Sequence, residues 1–234
     1  MNIPAGYRRE TPGVHPPCGH RSYASSQKRA PQRARVRLEH TLSEITGPRF
    51  ARETLAPGES DMTHFDGGDA LGERIVVTGR VLDEDGRAVP DTMIEIWQAN
   101  AAGRYAHAED RHQAPLDPHF AGIGRVITDD RGAYRFMTIK PGAYPWGNHH
   151  NAWRPNHIHF SLFGPSFATR LITQMYFPGD PLLALDPIFN SIPDKSARER
   201  LIANFDIDVT VPEYALGYRF DFVLRGRDSS PMPA

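Results

Sequence analysis

Two histidines that flank a single residue carry the strongest chemical signal in the sequence. His157 and His159 lie on either side of Ile158, shortly after Pro155. Proline can precede a strand but does not sit inside a central one, and residues two apart on a strand point to the same face. Two imidazoles side by side on a rigid strand suit a metal ion, although His-x-His alone also fits a solvent-facing strand side. The pair therefore predicts a metal site if further ligands lie nearby.

The neighbouring sequence offers tyrosine, rather than cysteine or carboxylate, as the further ligand. Cys18 is the only cysteine and is remote in sequence, and no aspartate or glutamate lies between Lys140 and Arg170. This argues against the site of two histidines and one carboxylate found in ferrous oxygenases. Tyr105 and Tyr144 lie in adjacent predicted loops. A phenol with a pKa of roughly 10 ionises beside a trivalent cation. The phenolate is a hard anionic ligand suited to ferric iron, whereas either tyrosine alone fits ordinary packing.

A second histidine pair competes for the same role. His149 and His150 are adjacent in the sequence. Neighbouring side chains on an extended chain point in opposite directions, so a loop would have to bend to bring both onto one ion. His157 and His159 are therefore the favoured pair.

Short strands separated by turns are the elements that must position these side chains. Runs rich in β-branched residues and regular alternation indicate strands, and Gly- and Asp-rich turns separate them. One short helix is predicted over 195–204, with Asp194 as its cap and with Ala197, Leu201 and Phe205 on one face. We predict a mainly β chain, an antiparallel β-sandwich with few short helices and with long active-site loops at 99–121 and 141–155. Strands are predicted at 74–82, 92–97, 124–128, 133–138, 157–162, 171–177 and 218–224.

The first part of the chain has a different composition. Proline, serine and basic residues dominate residues 1–35, which predicts an extended N-terminal arm over 1–42 ahead of a catalytic domain over 43–234. Composition alone favours a solvated tail over an arm that wraps a partner subunit.

Charge and hydropathy exclude several classes of partner. The formal net charge is -1, so no general attraction to nucleic acid or to an anionic membrane is expected. The apolar runs are strand-sized, far below the roughly 20 residues of a membrane span. Residues 1–10 lack the basic and apolar pattern of a secretory signal, and a single cysteine suits a reducing compartment. A cytoplasmic location is therefore expected.

Several motifs, in matching order and spacing, resemble those of the intradiol ring-cleaving dioxygenases. The resemblance extends from about Ser43 to Gly226 and is strongest to the iron-binding β chains of the protocatechuate branch. Catechol and hydroxyquinol enzymes carry a helical dimerisation domain before the sandwich, whereas a short proline-rich arm precedes it here. The resemblance is carried by Gly79-Arg80-Val81, Pro90, Glu95-Ile96-Trp97-Gln98-Ala99-Asn100, Gly103-Arg104-Tyr105, Pro141-Gly142-Ala143-Tyr144-Pro145-Trp146 and Trp153-Arg154-Pro155-Asn156-His157-Ile158-His159-Phe160, with support from 43–48, 114–118 and 218–221.

The resemblance implies a non-haem Fe(III) ion and assigns its ligands. Tyr105 and His157 would be equatorial, and Tyr144 and His159 axial. Tyr144 would leave the metal when the catechol binds and would then act as a base. These assignments come from the resemblance and not from the spacing of the residues.

Further roles follow from the same resemblance. Arg154 would stabilise carbanion-like charge on the substrate ring. Gly147 stands where several relatives carry an arginine. Either an anchor for the substrate carboxylate is therefore missing, or the partner chain supplies it. The implied substrate-binding residues are Tyr23, Trp146, Gln174 and Ile188.

The expected function is insertion of both atoms of O2 into a catechol ring. The favoured substrate is protocatechuate, converted to 3-carboxy-cis,cis-muconate in aromatic catabolism through the β-ketoadipate pathway, by an αβ hetero-oligomer with a homologous α chain. One alternative is a single-chain intradiol dioxygenase for another catechol, such as catechol or hydroxyquinol. The other is a non-catalytic, transthyretin-like β-sandwich binding module, which would not need the four ligands together.

Overall fold

The computed structural model describes residues 11–34, 55–147, 150, 153–163 and 171–233. These residues are mainly β, as the sequence predicts, with short helices at Ala24–Arg29, Pro187–Asn190 and Lys195–Glu199. The strands are β1 (His64–Phe65), β2 (Gly68–Asp69), β3 (Arg74–Leu82), β4 (Met93–Trp97), β5 (Ile123–Ile127), β6 (Ala133–Ile139), β7 (Tyr144–Pro145), β8 (Trp153–Arg154), β9 (His157–Phe163), β10 (Leu171–Tyr176), β11 (Asn204–Phe205), β12 (Leu216–Arg219) and β13 (Phe222–Val223). None of the helices in these ranges reaches the length and apolar character that a membrane crossing requires.

Two sheets form the body of the sandwich. One has the order β10-β9-β4-β5 and is antiparallel throughout. The other contains β11, β12, β3 and β6, and β13 pairs with β3 farther along that strand. The prediction of a β-sandwich is confirmed, with one departure from a purely antiparallel arrangement, because β12 and β13 both run parallel to β3.

The aromatic side chain of Phe160 on β9 packs against the other sheet. Phe160 is fully buried, and its ring centroid lies 6.0 Å from that of Phe136 and 5.1 Å from that of Phe222 on the other sheet. Burial of a side chain of this size contributes about 1.5–3 kcal/mol. Since side chains alternate along a strand, the same register that points Phe160 into the core turns His157 and His159 to the opposite face. Core packing thus fixes the strand that presents both imidazoles.

Six of the predicted strands lie within one or two residues of observed ones, and the seventh is split. The sequence predicts one strand over 218–224, but β12 ends at Arg219 and β13 begins at Phe222. Between them the Asp221 carboxylate accepts a hydrogen bond from the Arg80 N–H at 2.8 Å. A side chain therefore replaces a backbone carbonyl in the ladder and interrupts the strand. Gly79 permits this close approach, because a Cβ there would collide with the Phe220 carbonyl.

The predicted helix is shorter than the sequence indicates. Asp194 caps it as expected, accepting from the Ala197 N–H at 2.8 Å, but the helix ends at Glu199. The chain then extends to bond with the end of β10: the Tyr176 N–H donates to the Leu201 carbonyl, and the Ala203 N–H donates to the Tyr176 carbonyl. Leu201 is buried, but Phe205, which was placed on the same helix face, is an exposed strand residue.

The stretch 141–155 was expected to be irregular and contains two short strands. β7 and β8 pair antiparallel, with Tyr144 opposite Arg154. This pairing brings a proposed metal ligand next to the arginine that the sequence assigned to catalysis.

The expectation of a solvated tail is wrong for part of the arm. Val14 belongs to the hydrophobic core, and the Gly13 carbonyl accepts from the Asp194 N–H at 3.0 Å. Tyr23 and Ser26 are also buried, at the start of the helix Ala24–Arg29. The proposed division between residues 42 and 43, and the motif at 43–48, lie outside the described residues, so that boundary stays a prediction.

Candidate metal centre and active site

Two histidines and two tyrosines meet at one point of the fold. The Tyr105 hydroxyl lies 3.1 Å from His159 Nε2 and 3.4 Å from His157 Nε2. The imidazole centroids are 4.8 Å apart, and the Tyr144 ring stands edge-on to Tyr105 at 5.0 Å. The structure thus brings together all four residues that the sequence named as metal ligands, from β7, from β9 and from the loop after β4.

Backbone bonds join the two tyrosine-bearing loops. Asn100 accepts through Oδ1 from the Arg104 N–H at 3.0 Å, and its carbonyl accepts from the Gly142 N–H at 2.9 Å. Gly103 has φ 78, and a Cβ there would collide with the Ala143 carbonyl. Glycine at 103 therefore lets the Tyr105 loop lie directly against the loop that carries Tyr144.

The histidines are held in a form that can bind metal. The Nδ1–H of His157 donates to the Pro155 carbonyl at 2.6 Å, which leaves the lone pair of Nε2 facing Tyr105. The Trp97 indole stacks on His159 with centroids 4.9 Å apart. Burial, reinforced by the positive charge of Arg154, holds the pKa of both imidazoles well below the usual range. Both rings therefore stay neutral, and each can offer Nε2 to a metal ion.

The tyrosines need a cation before they can ionise here. Burial raises the pKa of Tyr105 and of Tyr144, and the nearby Asp110 raises both further. A trivalent ion at the point of convergence would supply the missing positive charge and favour the phenolates. Within the described ranges, no group of three or more His, Cys, Asp or Glu side chains is placed to hold a metal. Two imidazoles, with two tyrosines that a cation would ionise, make a donor set that fits ferric iron.

A cavity of about 570 Å³ opens directly onto this point. All the residues that the sequence assigned to the site line it, together with three that sequence reasoning missed: Ile172, Met232 and Pro233. Ile172 could have been found, because it lies two residues before Gln174 on one strand and shares its face. The full lining is Tyr23, Tyr105, Tyr144, Trp146, Arg154, His157, His159, Ile172, Gln174, Ile188, Met232 and Pro233.

Arg154 is the buried cation of the cavity and makes bonds on several sides. Its Nη1 lies 3.0 Å from His157 Nε2, and its Nη2 lies 2.7 Å from Gln174 Oε1 and 3.0 Å from the Tyr176 hydroxyl. Asp186, also fully buried, accepts from Nη2 at 3.0 Å. Sequence reasoning missed both Tyr176 and Asp186. Asp186 was missed because it precedes a proline, so that its local signal is only that of a helix cap.

Apolar and aromatic side chains form the cavity walls. The rings of Tyr23 and Trp146 meet edge-on at 5.4 Å, and the Arg154 guanidinium lies 5.6 Å from the Trp146 ring. Ile188, in the helix Pro187–Asn190, is 4% exposed. Gly147 is exposed and adds no charge, and Arg154 is the only cationic side chain among the described lining residues, because both histidines are neutral.

The competing histidine pair is not brought to this point. His150 is exposed and lines a separate cavity of about 430 Å³ beside Arg21 and Leu185. His149 lies outside the described residues. The described geometry therefore supports the pair on β9.

Comparisons with known proteins agree with this geometry. The profile of the family described as Dioxygenase matches residues 45–226. The protocatechuate 3,4-dioxygenase beta chain of Burkholderia cepacia is 60% identical over 220 residues, covering 93% of each chain. The alpha chain of that enzyme from the same organism is 31% identical over 207 residues, covering 82% of this chain and 96% of that one.

A solved structure gives the same result for the fold. The crystal structure of 3-chlorocatechol 1,2-dioxygenase from Rhodococcus opacus 1CP is similar with a TM-score of 0.55 and 25% identity, covering 78% of this chain and 72% of that chain. The family profile spans most of the sequence, and the sandwich and its motifs agree with it. The chain therefore belongs to the intradiol ring-cleaving dioxygenases.

Proposed function

We propose that this chain is the iron-binding chain of an enzyme that converts protocatechuate and O2 to 3-carboxy-cis,cis-muconate. The observation that carries the proposal is the convergence of Tyr105, Tyr144, His157 and His159 at the end of a cavity of about 570 Å³. The similarity to a protocatechuate 3,4-dioxygenase beta chain supports the choice of substrate.

The four convergent side chains would hold a non-haem ferric ion. When bound, such an ion orients a catechol through its two oxygens and polarises the ring towards O2. His157 and His159 contribute neutral nitrogen ligands from a rigid strand, and Tyr105 contributes an anionic oxygen. Tyr144, half-buried and lining the cavity, would be the ligand that exchanges with substrate, and its phenolate oxygen would accept a proton from a catechol hydroxyl.

The remaining lining residues would bind and orient the ring. Trp146 and Ile188 offer flat and apolar surfaces for an aromatic substrate, and Tyr23 and Gln174 offer polar atoms at its edge. The fixed positive charge of Arg154 next to His157 would stabilise negative charge that develops on the ring.

A homologous α chain is the proposed partner. The similarity to protocatechuate 3,4-dioxygenase beta and alpha chains supports an αβ assembly. Gly147 leaves the cavity without a side chain that could anchor a substrate carboxylate from this position. We therefore assign the carboxylate anchor to the α chain.

The first test is the colour, iron content and substrate range of the purified protein. Phenolate bound to ferric iron absorbs visible light, so we expect a coloured protein with about one iron per chain when both tyrosines bind. We expect protocatechuate turnover to require a co-expressed α chain. An iron-loaded but colourless protein would contradict the two-tyrosine site. Turnover of catechol or hydroxyquinol by this chain alone would favour the single-chain alternative, for which the uncharged Gly147 is the supporting observation.

A second test separates the two tyrosines. Tyr144→Phe is expected to retain iron but to bind substrate at least roughly tenfold more slowly, because the proton acceptor is lost. Tyr105→Phe, the matched control, is expected chiefly to alter the visible spectrum. Rapid mixing with protocatechuate in the absence of O2 measures both. Unchanged binding kinetics in Tyr144→Phe would show that Tyr144 is neither the displaced ligand nor the base.

A further inference from the structure

We propose that Asp186 is a positioning residue that sets which edge of the Arg154 guanidinium faces the substrate. This inference rests on the proposed function, because it concerns the residue that would act on the substrate ring. Asp186 itself does not line the metal-side cavity, so it would act entirely through Arg154.

Asp186 holds the guanidinium by two of its nitrogens. Its Oδ2 lies 3.0 Å from Arg154 Nη2 and its Oδ1 lies 3.3 Å from Nε. The Asp186 side chain is 0% exposed and that of Arg154 is 5% exposed, so water does not weaken the pair. A two-point contact between a carboxylate and a guanidinium fixes both distance and angle.

Two neighbouring side chains also bond to this Asp186–Arg154 pair. The Tyr176 hydroxyl lies 3.1 Å from Asp186 Oδ2 and 3.0 Å from Arg154 Nη2, and Gln174 Oε1 lies 2.7 Å from the same nitrogen. Nε and Nη2 are thus both engaged by these side chains. Nη1 remains, and it lies 3.0 Å from His157 Nε2, on the side where metal and substrate would sit.

A role as helix cap alone does not explain the orientation of Asp186. Its backbone partner is the Ile188 N–H at 3.3 Å, whereas Asp194, a cap on the next helix, accepts from the Ala197 N–H at 2.8 Å. Both Asp186 oxygens face Arg154 as well. Asp194 therefore provides a matched control: a capping aspartate with no contact to the site.

The test compares Asp186→Asn with Asp194→Asn in the assembled enzyme. We expect Asp186→Asn to retain iron and to bind protocatechuate without O2, while the O2-dependent step slows by roughly tenfold or more, the scale typical of an outer residue that orients a ligand. Asp194→Asn is expected to leave that step unchanged. An unaltered O2 step in Asp186→Asn would overturn the proposal.

A double variant distinguishes positioning from general loss of structure. If Asp186 acts only through Arg154, Arg154→Ala/Asp186→Asn will be no slower in the O2 step than Arg154→Ala alone. Additive losses would overturn the proposal.

A third variant tests the proposal if Asp186→Asn does not fold. Asp186→Glu keeps the charge but displaces it, and we expect bound iron with a slowed O2 step. An Asp186→Glu protein as fast as the wild type would contradict positioning. A wild-type protein with neither iron nor turnover would instead defeat the proposed function itself.

Discussion

Replacing His157 or His159 by alanine is expected to strip the iron from the protein. The neutral Nε2 of His157 lies 3.4 Å from the Tyr105 hydroxyl, and that of His159 lies 3.1 Å from the same hydroxyl. Loss of an outer residue that merely orients a ligand costs about 10–100-fold in metal affinity, so loss of an imidazole, a ligand that does not exchange with substrate, should exceed that. Iron per chain after dialysis, with the visible absorbance, measures the effect.

The matched control is His150→Ala. His150 lies close in sequence but is exposed and lines a different cavity, so we expect wild-type iron content and colour. Iron loss in His150→Ala together with retained iron in His157→Ala would show that the wrong histidines were assigned.

Arg154→Ala is expected to keep iron and to bind substrate, but to slow the O2-dependent step by roughly 10²–10³-fold. That is the usual effect of removing one group that stabilises charge in the transition state. Arg154 contacts His157 through Nη1, and no bond to Tyr105 or His159 depends on it, so the four ligands remain. Single-turnover mixing of the anaerobic substrate complex with O2 isolates this step from binding.

The same variant is expected to be less stable. It leaves the Asp186 carboxylate, which is 0% exposed, without its cationic partner, and breaking a buried pair in this way costs about 3–5 kcal/mol. Arg219→Ala is the control, since Arg219 also bonds an aspartate through two nitrogens, Asp206 at 2.7 Å, but is half exposed. We expect that control to have nearly the wild-type free energy of unfolding and to react with O2 at the wild-type rate. An Arg154→Ala protein that also reacts at the wild-type rate would exclude the electrostatic role.

The two histidines were predictable as a pair from the residues, whereas the residues alone made the two tyrosines only candidates. The period of two along a strand places His157 and His159 on one face, and the register of β9 has that geometry. Tyr105 and Tyr144 reach the site through loops joined at Asn100, and nothing local in the sequence shows that closure. The lack of nearby cysteine and carboxylate made both tyrosines candidates, and the family resemblance assigned them as ligands.

Asp186 was missed for a related reason. Its sequence context, an aspartate before proline at a helix start, is fully explained by capping. Its ion-pair partner, Arg154, is 32 residues away. A buried charge pair of that separation leaves no periodic signal in either segment.

Tertiary contacts also explain where the predicted elements were inaccurate. The helix after Asp194 was predicted too long because Leu201 and Phe205 continue the apolar spacing that begins at Ala197. In the structure, the backbone at Leu201 and Ala203 instead bonds to the end of β10. The strand at 218–224 was read as continuous because its residues favour β structure, but Asp221 interrupts the ladder. In both cases hydrogen bonds to a sequence-distant part of the backbone outweigh the local preference for one secondary structure.

The cavity draws its walls from widely separated parts of the chain, and this sets the order in which a growing polypeptide can complete it. Both Tyr23 and Met232 line the cavity, and the Met232 N–H donates to His15 Nδ1 across a separation of 217 residues. During synthesis, the proposed ligands through His159 emerge well before Met232 is made. The nascent chain would thus carry the proposed iron ligands before the cavity is complete, because sequence-distant contacts of this kind form late and slowly.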